Sequence, residues 1–225
     1  YYIDGENGLL EQDHSLTLGL TEVPRFALYQ RFLGLPEDTD LDYSFVEDKS
    51  KLMFDPVKDR IAYLALYSST YVRRLAPPFI AYIAKYLNFV GYKVLFVDNV
   101  PVFEDVDAIY AHDKTNVQQA VTNMKYSKLC ITIDTGSLWF SHYAGVPTIV
   151  IAGPTPKEVR MTYHPLKNSG KALGIDMRKY CGCNYNCGGT GAYCSKTAPC
   201  LNNFCYGVVL NDIATQIDKL MKVEN

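Results

Sequence analysis

The chain has 225 residues, 48% of them hydrophobic, and a formal net charge of −2 at pH 7. This length suits one α/β domain with an irregular appendage, while the charge and the lack of a basic stripe disfavour nucleic acid as a partner. No apolar run approaches the roughly 20 residues that cross a bilayer, and no signal peptide opens the chain. We therefore expect a cytoplasmic protein without a membrane span.

Residues 1–59 are predicted to form an extension in front of the main domain. Thr21 and Pro24 mark the start of an amphipathic helix. Residues 36–59 are acidic and irregular, which is typical of an inter-domain linker or a surface excursion. We therefore assign residues 1–59 to an inter-domain helix and linker, and residues 60–225 to the main domain.

The main domain alternates between strand and helix patterns. Apolar, β-rich runs predict strands at residues 61–67, 93–98, 107–111, 129–133 and 148–152. Apolar spacing and breaker residues predict helices at residues 77–90, 116–125, 138–143 and 211–222. Strands and helices that alternate over short connections predict an α/β, Rossmann-like fold, in which helices cover both faces of a parallel sheet.

The turn after the strand at residues 129–133 is a candidate anion-binding site. Asp134, Thr135, Gly136 and Ser137 join that strand to a helix, so backbone N–H groups and the positive end of a helix dipole meet there. Gly136 would let a phosphate approach the backbone, and the neighbouring hydroxyls would bind its oxygens. The alternative is that Asp134 or Thr135 only caps the helix and Gly136 only shapes the turn.

The predicted sheet gives an independent reason to expect a ligand at that turn. Ligands of open parallel sheets bind beyond the carboxyl ends of the strands. That rule brings together the strand exits at residues 68–74, 98, 112–115, 134–137 and 153–157. Neither a GxGxxG fingerprint nor a GxxxxGK[ST] loop occurs in the chain, so no dinucleotide motif or P-loop is available.

Two longer motifs carry a family resemblance. They are D-T-G-S-L-W at residues 134–139 and V-P-T-I-V-I-A-G-P-T-P at residues 146–156. Both resemble the carboxy-terminal half of glycosyltransferase family 9, the ADP-heptose transferases, in which a D-[ST]-G-x-x-H turn precedes a G-P-T by the same interval. The resemblance covers most of the chain and implies the second half of a two-domain GT-B fold.

The resemblance also implies a site for a nucleotide-sugar donor. The family has a hydroxyl-rich turn and a basic residue before a helix-starting Pro, an arrangement matched by Ser69, Thr70 and Arg74. By this resemblance residues 134–137 would hold the donor diphosphate with help from Ser69 and Thr70. Arg74 would be catalytic by offsetting charge on the leaving nucleotide, with Arg73 as the rival if the register shifts. Transfer in such enzymes needs no metal.

The family's histidine in this motif is replaced here by Trp139, as in the S-G-x-x-W of the autotransporter heptosyltransferase branch. An indole cannot exchange a proton, so the contact that the imidazole makes in the family is lost. We expect Trp139 to pack under the loop and His142 to be structural. His112 is a candidate contact for the base or ribose.

A second departure concerns the first GT-B domain, in which this family places the acceptor site and the proposed base. Residues 1–60 are too few to form that domain, and the chain begins at Tyr1 rather than Met. We therefore expect a fragment, one half of a split enzyme, or a donor-site domain without catalysis. The first half would then lie on the same chain or on another.

Six of the seven cysteines lie within residues 181–205. Close thiol pairs suit a zinc or iron site, and the first candidates for ligands are Cys181, Cys183, Cys187 and Cys200. The same cysteines could instead form up to three disulfides or remain free. Family 9 resembles this segment in its C-L-x-x-[IF] ending, and the autotransporter branch binds iron through such cysteines. We expect a structural role in each case.

These observations define two interpretations. The first is the donor-binding half of a GT-B glycosyltransferase that transfers heptose or a hexose from a nucleoside diphosphate to a glycan or protein acceptor. The alternative is a non-catalytic module that binds a nucleotide or glycan, or that scaffolds a partner through the cysteine segment. The missing half favours the alternative, while the hydroxyl and arginine loops argue against it.

Overall fold

A six-stranded sheet forms the centre of the protein. The computed structural model describes residues 47–68, 74–153, 157, 161, 171–181 and 204–223. The strands are β1 (Ile61–Ala65), β2 (Lys93–Phe96), β3 (Ala108–Tyr110), β4 (Leu129–Ile133), β5 (Thr148–Ala152) and β6 (Ala172–Asp176). All five strand pairs are parallel, and the order across the sheet is β3-β2-β1-β4-β5-β6. This doubly wound order confirms the predicted Rossmann-like fold class.

The helices begin and end where local chemistry dictates. They are α1 (Pro77–Phe89), α2 (Val117–Lys125), α3 (Gly136–Ala144), α4 (Arg178–Cys181) and α5 (Tyr206–Val223). Proline occupies the first turn of α1, and Asn116 starts α2 with a capping box closed by Gln119. Gly145 ends α3 with a φ of +68°. None of the helices among the described residues combines the length and apolar content needed to cross a membrane.

Two apolar cores lie on opposite faces of the sheet, because successive side chains of a strand point to opposite sides. Ala62 and Leu64 of β1 belong to the core beneath α1 and α5. Ile61 and Tyr63 belong to the second core, which α2 and α3 cover. Cys130 is fully buried in that second core, as expected for a small core residue. Helices thus cover both faces, as the sequence predicts.

The largest differences between the sequence-based boundaries and the structure concern the ends of β1 and β2, the strand β6 and the start of the last helix. β1 and β2 end two residues before their predicted ends, because the chain leaves the sheet to form the contacts of the site described below. β6 was not expected, since its short run is interrupted by Gly174 and is ordered by pairing with β5. The last helix begins at Tyr206 rather than at residue 211.

Residues 47–53, which we call the strap, lie along α2. The Asp48 N–H donates to the Thr122 hydroxyl at 3.0 Å. Asn123 accepts from the Met53 N–H at 3.0 Å and donates to the Lys51 carbonyl at 2.8 Å. Thr122 and Asn123 are buried, so these polar groups satisfy one another away from solvent.

Candidate functional site

The candidate site lies where β1 and β4 end side by side. Leu64 and Ala65 of β1 pair with Ile131 and Thr132 of β4, so the chain leaves both strands at the same edge of the sheet. The connections from β1 and β4 also diverge here, because β2 and β3 continue on one side and β5 and β6 on the other. Such a point of divergence opens the crevice in which doubly wound sheets bind ligands.

The turn that follows β4 leads directly into α3. Asp134 is 5% exposed at the end of the strand. Thr135 occupies the N-cap position with extended backbone angles, but its side chain makes no capping hydrogen bond. The Thr135 hydroxyl lies instead 3.5 Å from the hydroxyl of Thr132. Side-chain capping of α3 by Thr135, the alternative raised by the sequence, is therefore not what the structure shows.

Gly136 is the first residue of α3 and is exposed. Its φ lies outside the left-handed region, which among the described glycines only Gly91 and Gly145 adopt. A Cβ atom built on Gly136 would meet only the ring of Phe140, at an ordinary contact distance of 3.7 Å. Neither the backbone angle nor the described packing requires glycine here. Its absent side chain leaves room for a close approach to the N–H groups of Gly136 and Ser137, while the Leu138 N–H donates to the Thr135 carbonyl at 3.1 Å.

The loop after β1 brings a guanidinium to the same edge. Arg74 Nε donates to the Ser68 carbonyl, and its Nη1 lies 3.4 Å from the Tyr67 hydroxyl. The guanidinium carbon sits 4.6 Å from the centre of the Tyr67 ring, within cation–π range. The Leu75 N–H donates to the Leu66 carbonyl at 3.3 Å and closes the loop at its base. Arg74 is therefore half-buried and held against the residues that leave β1.

The carboxylate of Asp98 joins the exit of β2 to this loop. Its Oδ2 accepts a hydrogen bond from the Tyr67 N–H at 2.8 Å. Burial raises the pKa of Asp98 to about 6, against the opposing effects of the Tyr67 and Leu66 amides and of His112. His112 Nε2, at the exit of β3, lies 3.1 Å from a carboxylate oxygen of Asp113.

Several predicted site residues lie outside the described residues. Ser69, Thr70 and the rival Arg73 belong to this set, as do Cys183, Cys187 and Cys200. Of Cys181 only the backbone is described, as the last residue of α4. The side chain of Cys205 is described, and it is exposed and free. Within the described ranges no three His, Cys, Asp or Glu side chains are arranged to hold a metal, and the predicted cysteine ligands remain a prediction.

Trp139 and His142 both lie on α3, downstream of the turn. Trp139 is half-buried, and the His142 ring is 5.7 Å from the ring of Tyr143. Burial lowers the pKa of His142, which favours its neutral form. The expected roles of these two residues in packing remain predictions.

The sequence interpretation placed Asp98 on this edge but assigned no role to it or to Tyr67. Both residues lie two positions beyond the end of a strand, Tyr67 after β1 and Asp98 after β2. An aromatic residue immediately before a hydroxyl-rich turn, facing an acid at the next strand exit, is the signal that could have found them. The hydrogen bond between them depends on the pairing of β1 with β2, which only the fold provides.

The class of fold is shared with known glycosyltransferases. The iron-containing dodecameric glycosyltransferase TibC from enterotoxigenic E. coli is similar over 92% of this chain and 55% of TibC, with 14% identity and a TM-score of 0.63. The heptosyltransferase TibC in complex with ADP-D-beta-D-heptose aligns over 89% of this chain and 55% of that chain, with 15% identity and a TM-score of 0.61. These likenesses show a common fold and confirm, at that level, the resemblance noted in the sequence.

A glycosyltransferase of family 9 from Veillonella parvula aligns over 53% of this chain and 35% of its own, with 20% identity. The TM-score of this alignment is 0.45, which is too low to establish a common fold. No protein-family model matches the chain, and no curated protein matches it. The chain spans about half the length of the TibC structures, 55% in each.

Proposed function

We propose that this chain is the nucleotide-sugar-binding half of a GT-B glycosyltransferase. The observation that carries the proposal is the turn from β4 into α3, in which Gly136 leaves helical N–H groups open beside the loop that holds Arg74. The likeness in fold to a heptosyltransferase solved with ADP-D-beta-D-heptose supports the same ligand class.

The site has the chemistry that a diphosphate requires. The N–H groups at the start of α3 and the helix dipole would bind phosphate oxygens, and the hydroxyls of Thr135 and Ser137 would add hydrogen bonds. Arg74 would stabilise the negative charge that develops on the leaving nucleoside diphosphate during sugar transfer. Ser69 and Thr70 belong to the same proposal, since they lie between Ser68 and Arg74 in the chain. Asp134 would shape the turn from its buried position.

Nucleotide binding tests the proposal directly. A domain that binds ADP is stabilised by it, by about 2.7 kcal/mol when ADP is present at one hundred times its Kd. We expect a rise in Tm on titration with ADP, and UDP and GDP would identify the preferred base. The absence of a shift with all three nucleotides would overturn the donor-site proposal.

A pair of glycine variants tests the position of the diphosphate. In Gly136→Ala, the added methyl group has room against Phe140 but stands where the phosphate approaches, so ADP affinity should fall at least ten-fold while the Tm without ADP is maintained. Gly207→Ala adds a methyl group to the first turn of α5, where nothing lies within 4 Å, and should bind ADP normally. Equal ADP affinity in both variants would contradict the assignment of this turn.

The rest of the predicted activity follows from the architecture. We propose that the first GT-B half, on the same or another chain, supplies the acceptor site for a glycan or protein and that transfer requires both halves but no metal. Heptose is one donor sugar to test, and a cytoplasmic location fits a nucleotide-sugar substrate. Without its first half the chain should bind the donor and transfer nothing.

The cysteine segment carries a separate proposal, that Cys181, Cys183, Cys187 and Cys200 hold a structural zinc or iron. The iron content of TibC supports it. Elemental analysis together with thiol titration before and after unfolding would separate bound metal from disulfides and free thiols. Metal-free protein with six accessible or six oxidised cysteines in this segment would overturn it.

The competing function is a non-catalytic nucleotide- or glycan-binding module, or a scaffold. A donor-site domain alone lacks the acceptor site that transfer needs, so nucleotide binding by this chain is expected from both functions. Adding a cognate first half would decide between the two, since only the enzyme would then release ADP from the sugar donor in the presence of acceptor.

A further inference from the structure

At the exit of β2, the Asp98 carboxylate accepts a hydrogen bond from the loop that carries Arg74. The proposed donor site assigns no role to this carboxylate. We propose that Asp98 is a positioning residue that holds Tyr67 and Arg74 in the geometry needed to bind the donor diphosphate. The proposal rests on the proposed function only in assigning the diphosphate to Arg74.

The contacts run from Asp98 to Arg74 through a single residue. Asp98 Oδ2 accepts from the backbone N–H of Tyr67 at 2.8 Å, which places the Tyr67 side chain. The Tyr67 ring lies against the guanidinium at 4.6 Å, and its hydroxyl is 3.4 Å from Nη1. Arg74 Nε also donates to the carbonyl of Ser68, the next residue along. A shift of the Tyr67 backbone would therefore move every one of these contacts with Arg74.

Between pH 5 and 8, the charge of Asp98 changes while its buried neighbours stay neutral. Tyr63 of β1 and Cys130 of β4 feel its charge, but burial raises the pKa of both side chains, so they stay neutral between pH 5 and 8. Among the described residues, His112 from the β3 exit is the other titratable group whose charge acts on Asp98. With the pKa of Asp98 raised to about 6, the carboxylate is ionised at neutral pH and becomes a weaker, neutral acceptor below it.

The Tm of an Asp98 variant distinguishes a positioning role from a stabilising role. Burial of the charged carboxylate opposes folding, as its raised pKa shows, so Asp98→Asn should hold or raise the Tm. The same substitution should weaken the hold on Tyr67, because an amide oxygen accepts less strongly than a carboxylate. A residue whose charge costs stability while orienting a candidate functional side chain fits the pattern expected at binding sites.

The first experiment uses nucleotide-free protein and follows the Tyr67 amide and the Arg74 Nε–H by NMR from pH 5 to 8. Both signals should titrate with a midpoint near pH 6, the titration should vanish in Asp98→Asn, and His112→Gln should shift its midpoint without abolishing it. Asp105→Asn, which removes an exposed carboxylate paired with Lys85, is the matched control and should change nothing. The amide of Gly91, bonded to the Asn88 carbonyl beyond the end of α1, serves as the reference signal. A titration that persists in Asp98→Asn would overturn the proposal.

The second experiment measures the Kd of ADP against pH in the wild type and in Asp98→Asn. Titration of the ADP phosphate is common to both proteins and cancels in the comparison. Loss of one charge-assisted contact predicts affinity about five-fold to ten-fold weaker in Asp98→Asn at pH 7.5, converging with the wild type at pH 5. Parallel profiles would overturn the positioning role. Failure of the wild type to bind ADP would overturn the donor-site proposal alone, because the NMR titration decides the Asp98 contact without nucleotide.

Discussion

Gly145 is a residue whose identity is required by the backbone alone. Its φ of +68° lies in the left-handed region, and a Cβ built there meets nothing within 4 Å. Glycine is needed for its conformational freedom and not for space. Gly136 differs, because any residue can adopt its φ. Gly145 is thus needed to end a helix, whereas Gly136 matters only for the space that its missing side chain leaves.

Substitution of Gly145 should therefore cost only conformational energy. We expect Gly145→Ala to lower the free energy of unfolding by about 1–2 kcal/mol, and Gly145→Asn to cost less, because asparagine tolerates the left-handed region. Urea denaturation of the two variants beside the wild type measures the difference. Equal losses in both variants would mean that contacts rather than φ determine this position.

At the scale of elements, the strap and α2 depend on one another through buried polar groups. Asn123 bonds the Met53 N–H, the Lys51 carbonyl and the Gln119 carbonyl. Asn116 and Gln119 close the start of the helix, and Gln119 also donates to Asp48 at 2.8 Å. Polar side chains of α2, which would otherwise face solvent, thus hold the strap in place.

Removal of Asn123 should release the strap. Asn123→Ala leaves the Met53 N–H and two carbonyls without this partner, so we expect a loss of about 2–4 kcal/mol in stability and faster hydrogen exchange at residues 48–53. Thr122→Ser keeps the hydroxyl that accepts from Asp48 and should leave exchange in the strap unchanged. Unchanged exchange in Asn123→Ala would show that other contacts hold the strap.

The packing of β6 depends on the lack of a side chain at Gly174. A Cβ there would lie 2.5 Å from Met161 Sδ and 3.1 Å from Lys157 Cβ, so the Met161 side chain must shift and Lys157 must give way slightly. We expect Gly174→Ala to destabilise the protein by about 1–3 kcal/mol. In Met161→Ala the sulfur is absent, and Gly174→Ala should cost less in that background when measured by a double-mutant cycle of urea denaturation. Additive losses would contradict the clash.

At the scale of the whole molecule, two carboxylates give stability opposite dependences on pH. Glu47 bonds Lys125 at 2.5 Å and Tyr126 at 2.7 Å, and these partners lower its pKa from 4.5 to about 2. Burial raises the pKa of Asp98 from 3.8 to about 6. A lowered acid pKa adds stability that is lost as pH falls through the folded value, whereas a raised one adds stability that is lost as pH rises through it.

The two effects predict a maximum of stability near pH 4 to 5 from these groups. Thermal unfolding from pH 2 to 8 should show the acid-side rise flattened in Glu47→Gln and the decline between pH 4 and 6 flattened in Asp98→Asn. Lys85, which forms an exposed ion pair with Asp105, offers the control variant Lys85→Gln. A profile unchanged in both carboxylate variants would contradict the assigned pKa directions.

Local pattern was sufficient for most of the elements. The apolar runs of β1, β2, β4 and β5 and the stripe of α1 are strong signals, because strands buried on both faces admit little but apolar residues. β6 could not be predicted this way, since Gly174 breaks its pattern and its order comes from β5. The start of α5 at Tyr206 was also missed, because contacts of Phe79 with Tyr206 and Phe204 anchor the helix there.

The sequence by itself determined the α/β class, the parallel sheet and the turn at residues 134–137 as a candidate site, because periodicity and turn chemistry are local properties. The tertiary structure alone decided which strands are neighbours, and hence that the exits of β1 and β4 share one edge and that Asp98 reaches Tyr67. Such contacts join residues that are far apart in the chain, and their energies depend on burial and distance, which no local pattern encodes.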